Sequence, residues 1–171
     1  STFVNNVDLC PELTMDEKTD MKGQARFLRA YCYWALMRVY GPVPLIPLEG
    51  LDVNLSYEEL SLPREHFDVL VDFVDKELME AARSLPTKRT VNNLGRPTRG
   101  AALGLRSRVL LFAASPLFNG NTDLFDVKDC YGNLLIAQEY DESKWARAAA
   151  AARDVIELAK SADLYELYTI A

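Results

Sequence analysis

Four stretches of the chain repeat apolar residues at helical spacing, and proline, glycine and polar residues divide them. From Asp16 to Tyr40, Leu28, Tyr31, Cys32, Ala35 and Val39 fall at i, i+3, i+4, i+7 and i+11. Phe27, Trp34 and Tyr40 widen that stripe, so burial on more than one side is expected. Cys32 reads as a small buried hydrophobe, and Gly41-Pro42 ends the helix. A second helix is expected from Pro63 to Leu85. Its apolar stripe is Phe67, Val71, Val74, Leu78, Ala81 and Leu85, and Asp68, Asp72, Asp75, Lys76, Glu80 and Arg83 face solvent.

A third helix is capped by Thr98 and stopped at Ser115-Pro116, because proline disfavours helical geometry in the residue before it. Gly100, Ala101, Gly104 and Ser107 lie on one side, and Leu103, Leu105, Val109, Leu110 and Phe112 on the other. Glycine in a helix costs about 1 kcal/mol relative to alanine. Two glycines a turn apart therefore suggest a closely approaching neighbour, with this helix the central rod of a stack. A fourth helix starts near Asp141 or Ser143 and ends around Lys160. Trp145, Ala148, Ala149, Ala152, Ile156 and Ala159 form its expected core stripe. The tail is expected to fold back through Leu164, Tyr165 and Tyr168.

The connections differ in kind. Pro42, Pro44 and Pro47 stiffen 41–50, and Val43, Leu45 and Ile46 should hold it against the body. Residues 51–62 read as a loop and 86–97 as a polar turn. Segment 117–141 exceeds the length at which structureless loops become uncommon. Asn119-Gly120 and Tyr131-Gly132-Asn133 mark turns in it, and Leu134, Leu135 and Ile136 suggest a short strand.

Composition narrows the chemistry. The chain has 171 residues, 49% hydrophobic and 26% charged, which is globular, and enough for one domain with a core. A net charge of -6 argues against nucleic acid or an anionic membrane surface as the main partner. No apolar run approaches a membrane span. The opening STFVNNVDLC does not have the form of a signal peptide. Cys10, Cys32 and Cys130 form neither a metal-ligand pattern nor a disulfide framework. His66 is the only histidine, with no nucleophile or acid visibly arranged beside it, and reads as a surface residue. Lys22, Arg26 and Arg29 make a basic edge best explained by solvation or ion pairs with a neighbour. No catalytic residue, metal site or cofactor is expected.

The helices also fit a repeat. In the tetratricopeptide pattern the second helix carries Ala, a large residue four on, Ala three further and Pro five beyond. Val74, Leu78, Ala81 and Pro86 follow that order, as do Ala152, Ile156 and Ala159, and Leu103-Gly104 matches the first helix. The expected fold is all-α, with tetratricopeptide-like stacked helix pairs forming an alpha-alpha superhelix interrupted by long inserted loops.

Four segments then carry a resemblance: GQARFLRAYCYWALMRVYGPVPLI (23–46), FDVLVDFVDKELMEAARSLP (67–86), GRPTRGAALGLRSRVLLFAASPLFNGN (95–121) and YDESKWARAAAAARDVIELA (140–159). In that order they resemble the RagB/SusD family of outer-membrane nutrient-binding lipoproteins, with Gln24 where the family usually has Glu. The resemblance implies an all-helical, non-catalytic, surface-exposed protein, anchored by a lipidated N-terminal cysteine. It would deliver oligosaccharide, or less commonly peptide, to a TonB-dependent SusC-like transporter. Family members are longer, so residues 1–171 would be the helical part of one, without its anchor and its C-terminal region. The matched motifs are scaffold motifs, and no binding residue is carried over from them. On physical grounds the loop 117–141 is the best local ligand candidate, with Asn121, Asp123, Phe125 and Tyr131 expected to be exposed at its turns, since sugar binding needs aromatic faces beside amides and carboxylates. The alternative is an intracellular tetratricopeptide-type adaptor binding a peptide, against which the long insertions argue.

Overall fold

The computed structural model describes residues 2–52 and 54–161. The tail through Leu164, Tyr165 and Tyr168 lies outside the described residues. Two short elements, α1 (Thr2–Asn6) and a 3-10 turn (Val7–Leu9), precede α2 (Met15–Tyr40). Then come α3 (Tyr57–Leu60), α4 (Phe67–Ser84), α5 (Arg99–Ala114) and α6 (Ser143–Ser161). The caps account for the boundaries. The Thr14 hydroxyl accepts the Glu17 N–H, and the Glu17 carboxylate accepts the Thr14 N–H at 2.9 Å, a capping box. Thr98 accepts the Ala101 N–H, and α5 stops before Pro116. Gly41 closes α2 at φ +68, where a side chain would be strained. Ser56 and Glu59 form a second capping box, which makes α3 a short helix inside the expected loop 51–62.

The long helices stack in chain order: α2 on α4, α4 on α5, α5 on α6. The centre is therefore shared by α4 and α5, and is not a single rod. The α4 stripe, Phe67, Val71, Val74, Leu78, Ala81 and Leu85, is buried as its period requires. Trp34 meets Phe112 edge-on at 5.0 Å, and Phe67 stacks on Phe118 at 3.8 Å.

Two other stripes are corrected. On α2 the buried residues are Gly23, Ala30, Trp34 and Met37, while Leu28, Tyr31, Cys32, Ala35 and Val39 are exposed. Apolar residues surround most of α2, so periodicity alone does not choose its inner face. The fit to α4 does: a Cβ on Gly23 would lie 2.9 Å from the Ser84 Cβ. On α6 the buried residues are Ala148 and Ala151, while Trp145, Ala149, Ala152 and Ile156 are exposed. Gly104, expected in a close contact, has nothing within 4 Å of the place a Cβ would take. The close helix approach belongs to Gly23 instead.

The charged residues join neighbouring helices. Glu77 is buried and accepts from Arg26 at 3.0 Å and from Arg29, which puts the basic edge into ion pairs. Asp68 pairs with Lys144 at 2.7 Å and Asp72 with Arg147 at 2.7 Å. Arg106 links Asp75 to Asp154. The acidic face of α4 is thus a set of ties to α5 and α6, and only its outer part is solvated.

Candidate functional site

Loop 117–141 is held at both ends. Asn119 is buried, and its amide donates to the Asp141 carbonyl at 2.9 Å and accepts the Asp141 N–H at 2.8 Å. Gly120 sits at φ +76 with the Tyr140 backbone N 2.7 Å from where a Cβ would be, so only glycine fits. Leu135 and Ile136 are buried, and the Leu135 carbonyl accepts the Phe67 N–H at 2.9 Å at the start of α4. Among the described residues there is no named strand. The expected strand is reduced to isolated bridges, Lys128 with Leu134 and Asn119 with Ala137, and the Leu135 N–H also donates across the turn to the Val127 carbonyl at 3.0 Å.

The turn at 129–133 is organised by Asp129. Its carboxylate accepts the N–H groups of Tyr131 and Asn133 and the Asn133 side-chain amide, each at 2.8 Å. That amide first, and then the backbone donors, hold Asp129 below the ordinary aspartate value. Asp141, below its ordinary value through the Ser143 hydroxyl and N–H, sets the start of α6.

The four candidate residues divide. Phe125 and Tyr131 are 65% and 76% exposed, with rings free to meet a ligand, and Asp123 is exposed. Asn121 is half-buried, a correction to its expected exposure. Its oxygen accepts the Asp123 N–H and its amide donates to the Leu117 carbonyl, which ties it to the loop itself. Among the described residues, neither Phe125 nor Tyr131 stacks on another ring, so no paired aromatic cleft is formed.

Two further hollows were not anticipated from sequence. One, between α4, α5 and α6, holds Asp68, Asp72, Lys144 and Arg147, and these charges are already paired with one another. The other is an apolar groove of about 410 Å³ between α2 and the proline-rich arm, lined by Arg29, Cys32, Tyr33, Leu36, Pro44 and Ile46. The Tyr33 hydroxyl accepts the Ile46 N–H at 2.9 Å and holds the arm in place, although Ile46 itself is 50% exposed. Cys32, read as buried, opens onto this groove. His66 is half-buried at the cap of α4, where its Nδ1 accepts the Asp68 N–H. Among the described residues no cluster of His, Cys, Asp or Glu could hold a metal, and no helix is long and apolar enough to cross a membrane.

The SusD-like family model, described as starch-binding and associating with the outer membrane, matches residues 4–111. The chain belongs to this RagB/SusD family. Its description is one of binding and not of catalysis. No curated protein matches the chain. Among solved structures, this SusD-like chain is similar to BT4246 at 32% identity and a TM-score of 0.86, over 98% of this chain and 29% of that one. A SusD-like protein (BF3747) of Bacteroides fragilis NCTC 9343 is 23% identical with a TM-score of 0.66, over 92% of this chain and 24% of that one. Surface glycan-binding protein A of Bacteroides uniformis is 20% identical with a TM-score of 0.61, over 91% of this chain and 28% of that one. The last two establish the all-α fold alone. The chain spans less than a third of the length of each.

Proposed function

We propose that these 171 residues are the tetratricopeptide-like helical region of a longer, cell-surface, non-catalytic glycan-binding protein. It captures oligosaccharide for a TonB-dependent SusC-like transporter and is tethered to the outer membrane by a lipidated cysteine outside this chain. The observation that carries the reading is the family match over 4–111, with its starch-binding, outer-membrane description. The glycan-binding name of the Bacteroides uniformis structure supports it at the level of ligand class. The loop supplies suitable chemistry: exposed Phe125 and Tyr131 rings for the apolar face of a sugar, and the exposed Asp123 carboxylate for its hydroxyls. Asn121 and Asn119 serve the loop's shape and leave its outward groups to the ligand.

The test is a binding panel on the natural full-length protein, with starch, xylan, other polysaccharides and peptides measured by affinity electrophoresis and calorimetry. Binding to at least one glycan, weakened about tenfold by Tyr131→Ala or Phe125→Ala, is the expected result. Binding to peptides only would overturn the ligand class. Glycan binding unaffected by either substitution would place the site elsewhere. Co-purification of the full-length protein with its transporter barrel tests the partnership.

A further inference from the structure

The hairpin inside loop 117–141 is fastened from one short segment elsewhere in the chain. Its limbs meet at the Lys128–Leu134 bridge and at the Leu135 N–H to Val127 carbonyl bond. Its tip is the Asp129 turn, on which Cys130 and Tyr131 are exposed. Residues 64–67, which lead into α4, reach both limbs. The Arg64 guanidinium donates to the Lys128 carbonyl on the outgoing limb at 2.9 Å. The Phe67 N–H donates to the Leu135 carbonyl on the returning limb. Between them, the Glu65 N–H donates to the Val43 carbonyl at 3.0 Å, which fixes the segment to the proline-rich arm. The two limbs are not held equally. The returning limb is also anchored by packing, through buried Leu135 and Ile136. The outgoing limb has only Val127 half-buried, with Lys128 exposed. Among the described residues, Arg64 is the one side chain from outside the loop that hydrogen-bonds to residues 125–135.

We propose that Arg64 is the positioning residue of the Tyr131 turn: it pins the outgoing limb to the start of α4 and so aims the Tyr131 ring at the ligand. This role rests on the reading of the loop as the glycan site, and adds to it a residue from another part of the chain. A ring ordered before the ligand arrives loses less freedom on binding, which favours affinity. Arg64 acts through the backbone of the turn and does not itself touch the sugar. Its contact is a single N–H to one carbonyl. A lysine ammonium is also a donor, so the role calls for a donor and not for the fork of a guanidinium.

Cys130 adjoins Tyr131 and is exposed, which makes it a natural reporter of the turn. In the natural full-length protein, with Cys130 left as the only free thiol, a nitroxide spin label there should move about twofold or more faster in Arg64→Ala. Arg64→Lys should restore the slower motion. The unfolding midpoint should stay unchanged in both variants, since Arg64 is exposed. Unchanged label motion in Arg64→Ala overturns the proposal, and so does an Arg64→Lys label as free as that of Arg64→Ala. A lowered midpoint in Arg64→Ala also overturns it, because the residue would then support the fold in general. Affinity electrophoresis in starch and xylan gels supplies the link to the ligand. Arg64→Ala should weaken the binding seen there by about threefold to tenfold, and should weaken it no further in a Tyr131→Ala background. A loss that persists in full in that background overturns the positioning role, because Arg64 then touches the glycan itself. If Tyr131→Ala alone leaves binding intact, the glycan reading of the loop fails, while the spin label still decides whether Arg64 holds the turn.

Discussion

Single residues here are governed by what adjoins them, and glycine makes the contrast plain. Gly23 and Gly104 both lie inside helices, yet a Cβ would press on Ser84 at one and meet nothing at the other. Gly23→Ala should therefore lower stability by about 1–3 kcal/mol, as overpacking does. Gly104→Ala should raise it by about 0.5–1 kcal/mol through helix propensity. Thermal or urea unfolding of the two variants checks both signs. Glu77 is the other residue whose loss should be felt widely. It is buried between two guanidiniums, so Glu77→Ala leaves both half-buried cations unpaired. A cost of about 3–5 kcal/mol is expected, with Glu77→Gln intermediate, measured by denaturant midpoint. Neither contrast was legible in the sequence. A glycine's letter does not say what lies beside it, and Arg26 and Arg29 are far along the chain from the carboxylate they share.

At the scale of elements, most boundaries were legible, the start of α4 at Phe67 rather than Pro63 being the exception, and the inner faces were only partly so. Thr98, Ser115-Pro116 and Gly41-Pro42 act through local geometry, and the helices end where those residues place them. The α4 stripe was legible because its polar and apolar sides are separate. Loop 117–141 was legible as a long insertion with two turns, but its clamp was not, since Asn119 and Asp141 meet only after the chain has closed. Asn119→Ala should release the loop, raising hydrogen exchange over 120–140 while α2 and α4 stay protected. The acid response follows from the carboxylates at the turn and at the start of α6. Asp129 and Asp141 are held below the ordinary aspartate value of 3.8, so their stabilising hydrogen bonds are present above it. Those contributions are lost as pH falls below 3.8 through the lowered folded values. Loop amides of Tyr131 and Asn133 should therefore lose protection in acid before the helical core does, which an NMR pH titration would show.

The whole molecule is a stack in which each long helix packs mainly on its neighbours in chain order. Energetic effects should then be local. Gly23→Ala, at the α2–α4 contact, and Arg106→Ala, in the α4–α5–α6 ion ties, share no partner. Their effects on unfolding free energy should add to within about 0.5 kcal/mol, and a double-mutant cycle with a larger coupling would contradict the stack. The sequence by itself determined where most of the long helices begin and end, that they pair in a tetratricopeptide-like order, and which family's scaffold motifs they carry, while α4 starts at Phe67 behind His66 and not at Pro63. Those features depend on caps, breakers and spacing, which are local. Tertiary structure decided which sides of α2 and α6 are buried, where backbones come close, and which charges meet. The physical reason is that both helices are apolar or small around much of their circumference. Periodicity marks such a helix without orienting it, and only the shape and charge of the neighbouring helix select the inner face.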